Sequence, residues 1–397
     1  MIYHHILIRP IPIRSPSVMK EVFQKKNAWI KFFNLNSHRI RDVETETVVK
    51  ILSCGLISRG FHLYRCSNRA CEHTKKIPIS CNSRSCPTCG KRAIDVWTEK
   101  TKNMFPDCSY QHITFTMPDV IWPVFKDNRI KLNDMIKVAT KVLLDLAKKQ
   151  GITIGIFAAI HTYGRLLNWN THIHASVTMG GLDADGNWKD LNFKKDKVMR
   201  MWRYGIITMI RELIADGYKN ISKSSLTAQY ERPWLVHFDE PTKDYRHTIS
   251  YIGRYTKKPP IAMSKIIDFT GNHVTYKYLN HRTKKYNQIT VTVAEFFEKF
   301  LQHIPDKGFR MVRYYGFFAN AVRGKLLPKV YAIFNQSIKE IKKVTYQQMS
   351  LISFGHDPLR CIVCGNQLVV AGLFLGKTTK DFLKCHVELA TRKRLPI

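Results

Sequence analysis

The chain has 397 residues, 44% of them hydrophobic and 11% aromatic, which excludes pervasive disorder and supplies enough apolar surface for a real core. Lysine and arginine number 64 against 30 aspartates and glutamates, a formal charge of +34 at pH 7. Such an excess repels itself in a compact body and points to a polyanionic partner, nucleic acid first and an anionic membrane surface second.

Residues 1–15 read as a Pro-rich flexible arm, with prolines and histidines where a signal peptide needs a continuous apolar stretch. Residues 19–60 read as largely helical, with Val22, Trp29, Phe32 and Phe33 at apolar positions. Five cysteines follow between Cys66 and Cys89. Tyr110–Met117 reads as a strand ended by Pro118. Residues 128–149 form an amphipathic helix with Leu132, Met135, Ile136, Ala139, Leu143 and Leu146 on one face, stopped by Gly151. Ile152–His161 and His172–Met179 read as strands joined by a Gly/Asn-bearing connection into a β-hairpin, closed by turn chemistry at Gly180-Gly181 and Asp185-Gly186-Asn187. A helix is predicted over 193–216 and a short strand at Trp234–Phe238. Another helix starts near Pro241 and must end at Pro259-Pro260. Val274–Leu279 and Ile289–Val293 read as strands, followed by helices over 294–303 and 316–335. The longest apolar runs, Ile152–Ile160 and Leu368–Leu375, fall short of the ~18 residues that span a bilayer. The chain therefore reads as intracellular, where ten cysteines point to metal rather than to disulfides.

The cysteines run Cys66-x4-Cys71, then Cys81-x4-Cys86-x2-Cys89. Two short pairs suit a tetrahedral Zn²⁺ site, each forming a knuckle that supplies two thiolates. Cys66, Cys71, Cys86 and Cys89 are the predicted set, with Cys81 and His73 as spare donors and Cys54 as an outlier. Buried, metal-free thiols are the alternative. Arg65, Arg69, Arg84, Lys91 and Arg92 surround the cluster. It thus reads either as a zinc module that grips phosphates or as a zinc staple for a small domain. In the tail, Cys361-x2-Cys364 and Cys385-His386 form a candidate second zinc site whose second half lacks knuckle spacing; ordinary core cysteines are the other reading.

In Thr171-His172-Ile173-His174-Ala175 the two histidines share one face of a strand, ~7 Å apart, where they suit one divalent ion. Alone, the pair reads more readily as structural histidines than as metal ligands. In the helix that starts near Pro241, His247, Tyr251 and Tyr255 form one stripe at i, i+4, i+8, with Arg254, Lys257 and Lys258 close by. Tyrosines at helical spacing are also ordinary core residues. Residues 241–290, however, hold ten Lys/Arg and two Asp/Glu, interleaved with Tyr276, Tyr278 and Tyr286, a pattern suited to stacking on single-stranded bases.

Taken together the chain resembles the two-tyrosine rolling-circle transposases of bacterial insertion sequences, within the His-hydrophobe-His (HUH) endonuclease superfamily. The resemblance rests on the ordered set Ser80–Cys89, His112-Ile113-Thr114-Phe115-Thr116-Met117-Pro118, His161-Thr162-Tyr163-Gly164, His172-Ile173-His174, Tyr251-Ile252-Gly253-Arg254-Tyr255 and Gly308-Phe309-Arg310-Met311-Val312-Arg313-Tyr314-Tyr315-Gly316. Thr162-Tyr163 departs from an expected Thr-Trp. The resemblance implies an α+β fold: an HUH domain over 108–330 whose antiparallel sheet carries the His-x-His strand, with the tyrosine helix packed near it. An arm, helices and zinc-binding domain precede it over 1–107, and an extension follows over 331–397.

It further implies Tyr251 and Tyr255 as nucleophiles, and Mg²⁺ or Mn²⁺ on His172, His174 and a third ligand. His161 is preferred for that ligand, then His247, then His112. Arg84, Arg254, Lys257, Lys258 and Arg313 are the implied DNA contacts. The implied partners are single-stranded DNA at element ends and target DNA, without a membrane and in the cytoplasm. Attack would leave a 5′-phosphotyrosine and a free 3′-OH, so rejoining needs no ATP. Consistently, Leu375-Gly376-Lys377-Thr378 mimics the end of a phosphate-binding loop but has Ala371 where its first glycine belongs. A plasmid replication initiator or relaxase of the same chemistry, or a non-enzymatic zinc-bearing nucleic-acid binder, are the competing readings.

Overall fold

The computed structural model describes residues 17–102, 104–232, 234–243, 259–280, 282–337 and 344–392. The fold is α+β with antiparallel sheets, and its centre is an HUH-type sheet in the order β11-β4-β5-β3-β7. Its strands are β3 (Tyr110–Phe115), β4 (Thr153–Tyr163), β5 (Trp169–Leu182), β7 (Val236–Phe238) and β11 (Val312–Gly316), with β6 (Trp188–Asp190) paired to β5. One face is covered by helices over Leu132–Lys148 (α6) and Lys195–Ala215 (α7). Ile156, Ala158 and Ile160 point into that core, while their neighbours Phe157 and Ala159 point into a second one with Phe105, Phe317 and Phe318. Both faces of β4 are thus buried, which is why it reads as a continuous apolar run rather than an alternating one.

The 128–149 helix forms as α6, and Gly151 takes φ +70° just beyond it. The hairpin also forms, and its Gly/Asn-bearing connection turns at Gly164–Asn168, where the Gly164 amide donates to the Asn168 carbonyl. Gly180 and Gly181 lie inside β5 rather than in a turn. A Cβ on Gly181 would meet the Thr153 carbonyl oxygen at 2.3 Å, so glycine here permits close strand approach. The helix expected over 316–335 forms over Arg323–Ile333; strand β11 ends at Gly316, and a turn over 317–322 joins the two. Val-Arg-Tyr-Tyr favours the strand, and Gly316 takes φ +60° against Ile154.

The remaining elements form a second body. Helices α1 (Val18–Gln24), α2 (Ala28–Asn36) and α3 (Asp42–Ser53) enclose Phe23 and Trp29 with Phe296, Phe297 and Phe300 of a helix over Val293–Leu301. That helix begins with a Thr292/Glu295 capping box after the sheet of β8 (Ile266–Phe269), β9 (His273–Leu279) and β10 (Tyr286–Thr292). A third sheet, β12-β1-β2, joins β1 (Gly60–Cys66) and β2 (Thr74–Pro78) to β12 (Leu368–Leu375) from the far end of the chain. The final helix, Thr379–Arg392, packs on α2 and α3, and Trp29 Nε1 donates to His386 Nε2 at 2.8 Å. No described helix is long and apolar enough to cross a membrane.

Candidate functional site

Strand pairing sets His161 of β4 opposite His172 of β5, and His174 follows on the same face. His161 Nδ1 and His172 Nε2 are 3.1 Å apart. Two nitrogens ~2.1 Å from one ion, at octahedral or tetrahedral angles, sit about 3.0–3.4 Å from each other, so the observed pair fits one ion. Ligand atoms of all three histidines fall within 4.8 Å of one another.

His172 Nδ1 lies 2.9 Å from the Asn170 carbonyl. A carbonyl only accepts, so Nδ1 carries the hydrogen and Nε2 presents its lone pair. His112 is outside the trio: its Nε2 meets His174 Nδ1 at 3.0 Å, with Thr114 Oγ1 3.3 Å from the same His174 nitrogen. Burial pulls His172 and His112 down to about 4, and His161 and His174 well below the usual imidazole value. Neighbouring imidazoles add to the depression at His161 and His174. All three grouped histidines are therefore neutral at pH 7, the form that donates to a metal.

The surroundings are polar and cationic. The Tyr163 ring centroid is 3.9 Å from that of His161. Behind them His303 Nε2 donates to the Leu167 carbonyl at 3.0 Å, which leaves Nδ1 to accept from the Thr162 hydroxyl at 3.2 Å. Arg84, from the loop between Cys81 and Cys86, brings its charge to bear on both His161 and Tyr163. Burial lowers its pKa, and its buried Nη1 has no hydrogen-bond partner among the described residues.

The segment that holds His247, Tyr251, Arg254, Tyr255, Lys257 and Lys258 lies outside the described residues. Its described flanks both meet the histidine sheet. Thr242 bridges Tyr110 of β3, and the Pro259 carbonyl accepts from the Tyr163 hydroxyl at 3.4 Å.

A cleft of about 720 Å³ runs along the β11 edge and is lined by Lys137, Lys307, Phe309, Arg310, Arg313 and Tyr314, among others. Arg313 lies over the Phe309 ring at 5.9 Å and bonds Asn133. Cations alternating with aromatic faces suit a polynucleotide strand. A narrow continuation shares Phe309 and reaches Thr162, the neighbour of His161.

The cysteines depart from expectation. Cys66, Cys71, Cys86 and Cys89 do not meet. Cys86 and Cys89 join Cys54 and Cys81, whereas Cys66 and Cys71 join Cys361 and Cys364. In the first group Cys54–Cys89 and Cys81–Cys89 are 3.6 Å apart and Cys54–Cys86 3.9 Å, sulfur to sulfur. A tetrahedron with Zn–S of ~2.3 Å has edges of about 3.8 Å, so four such thiols fit zinc. Cys54, read as an outlier, is a full member. Cys385 and His386 do not join Cys361 and Cys364: His386 accepts from Trp29, and Cys385 Sγ lies 4.0 Å from Lys377 Nζ. His73 Nδ1 is 3.2 Å from Cys361 Sγ, beside the second group. Counting would have hinted at this, since Cys54 to Cys89 hold six cysteines and Cys361 with Cys364 complete two sets of four.

Residues 155–325 match the family described as putative transposase, and residues 24–117 match the transposase zinc-binding domain. The chain is 38% identical over 391 residues to the transposase for insertion sequence element IS801 of Pseudomonas savastanoi pv. phaseolicola, covering 95% of each chain. It is 27% identical over 307 residues to putative transposase y4qJ of Sinorhizobium fredii strain NBRC 101917 / NGR234, 72% of this chain and 77% of that one. No solved structure matches the chain.

Proposed function

Since the chain belongs to the two-tyrosine family of insertion-sequence transposases, we propose that it acts by rolling-circle transposition, nicking single-stranded DNA at element ends and passing the strand to a target. The observation that carries this reading is the His161, His172 and His174 trio, held neutral on two paired strands within reach of one ion. These residues would hold Mg²⁺ or Mn²⁺, whose charge polarises the scissile phosphate. In the same reading, Asn170 and His112 fix the ring orientations of His172 and His174.

Tyr251 or Tyr255 attacks phosphorus through its phenolic oxygen. The proton leaves, the P–O3′ bond breaks, and a 5′-phosphotyrosine and a 3′-hydroxyl result. Arg84 neutralises charge on the non-bridging oxygens, which a buried guanidinium with an unspent N–H suits. Because the phosphotyrosine keeps the bond energy, the 3′-hydroxyl of another end reverses the step without ATP. Two nucleophiles let one hold the first cleaved end while the other attacks the second. The cleft with Arg313, together with Arg254, Lys257 and Lys258, binds the backbone of the strand.

Residues 108–330 are the catalytic part in this reading. The zinc domain carries Cys54, Cys81, Cys86 and Cys89 as its ligands, and the protein works on DNA in the cytoplasm. The test is incubation with labelled single-stranded element ends and Mn²⁺, scored for SDS-resistant adducts. Wild type should give adducts, while Tyr251→Phe/Tyr255→Phe and His172→Ala/His174→Ala should give none. Adducts formed at the wild-type rate by either double variant would overturn the assignment.

A further inference from the structure

We propose that Cys66, Cys71, Cys361 and Cys364 form a second tetrathiolate zinc site that fastens the C-terminal segment to the N-terminal sheet. The match to the transposase zinc-binding domain ends at residue 117 and contains only half of this set. The two halves are separate knuckles. In one, the Cys71 amide donates to the Asn68 carbonyl and the Cys66 amide to the His73 carbonyl. In the other, the Gly365 amide donates to the Cys361 carbonyl, Gly365 takes φ +78°, and Arg360 bridges Gln367. Each turn aims two thiols at the same point.

Cys66 Sγ lies 3.3 Å from Cys364 Sγ, and Cys71 Sγ 3.8 Å from Cys361 Sγ. These lengths approach the ~3.8 Å edge of a ZnS₄ tetrahedron and far exceed the ~2.05 Å of a disulfide. His73 Nδ1 beside Cys361 offers an N–H to a coordinated thiolate, the outer support such ligands usually have.

The apolar packing around the knuckles is small. Apart from the cysteines, the buried cluster is Tyr64 and Leu368, with Ile77 and Leu359 partly covered. Val370, Leu373 and Leu375 of β12 are exposed. Such a patch is a weak holder for a strand that arrives some 300 residues after its partner, so a metal at the strand end supplies the missing cohesion.

The full-length protein tests this without activity. Wild type should hold one more equivalent of zinc per chain than Cys361→Ser/Cys364→Ser. The variant should show amide hydrogen exchange at residues 368–375 at least ten-fold faster, with residues 153–163 unchanged. The exposed Cys364 of wild type should resist N-ethylmaleimide until a chelator is added, a readout that needs no folded variant. Equal zinc in variant and wild type, prompt labelling of Cys364 without chelator, or a native mass two daltons low from a disulfide would each overturn the site.

Discussion

His303, in the turn after the Val293–Leu301 helix and against the histidine sheet, is a neutral imidazole whose proton refusal ties stability to pH. Burial holds its pKa at about 3, and its two ring nitrogens are committed to the Leu167 carbonyl and the Thr162 hydroxyl. In the unfolded chain the same ring titrates near ~6.5. As pH falls below that value the unfolded state takes up a proton that the native state refuses, so stability present above pH ~6.5 is lost on acidification. At pH 5 the term is RT ln(1 + 10^1.5), about 2 kcal/mol, and it grows until pH nears 3. His303→Gln keeps an acceptor for Thr162 and a donor for Leu167 but has no such proton.

The assay is urea unfolding of both proteins between pH 7.5 and 5, without added Mg²⁺ or Mn²⁺. The stability of the variant relative to wild type should rise by about 2 kcal/mol over that range. Parallel curves would refute the claim that His303 is neutral and proton-refusing in the fold. His112 and His172, each near 4, add terms of the same sign and about the same size. Together they reach the scale of a domain's whole stability, about 5–15 kcal/mol.

Arg84→Ala should slow nicking by about 10²-fold while single-strand affinity changes little, because the guanidinium acts on developing charge and most affinity comes from the wider basic surface. Quench-flow nicking rates set beside filter-binding affinities check this, and equal losses in both would move Arg84 to simple binding. Tyr251→Phe and Tyr255→Phe, tested singly, should each block complete strand transfer while at least one still nicks. Wild-type transfer by either one would refute an obligatory pair. Gly316→Ala should destabilise by about 2–4 kcal/mol in thermal or urea unfolding, since its Cβ would fall 1.7 Å from the Ile154 carbonyl oxygen at φ +60°. An unchanged melting temperature would mean that β11 shifts freely at its edge.

The histidine sheet was legible because its signals are local. Strand alternation places His172 and His174 on one face, and a hairpin whose turn is only a few residues long brings His161 opposite. The α6 pattern and its Gly151 stop are equally short-range. The cysteines were not legible in the same way. Knuckle spacing shows that thiols come in pairs but not which pairs meet, and Cys66 finds its partner Cys364 through a strand pairing that no local pattern encodes. Strands β1 and β2 went unread because their half-exposed residues show no clean period. Leu368–Leu375 went unread because an unbroken apolar run has no period at all. Arg84 appeared as one basic residue among several. Only tertiary structure separates a guanidinium beside the histidines from one in solvent.

The pairing of β12 with β1 also sets a schedule for synthesis. Residue 66 leaves the ribosome some 300 residues before residue 375, roughly 15–60 s at 5–20 residues per second. Throughout that interval one edge of β1 lacks its neighbour, so nascent chains carry an open strand edge of the kind that invites misassociation. A message cut short between residues 334 and 367 would leave out β12 and so leave this edge bare, while retaining every strand of the histidine sheet. Completion of the third sheet thus distinguishes finished copies from truncated ones.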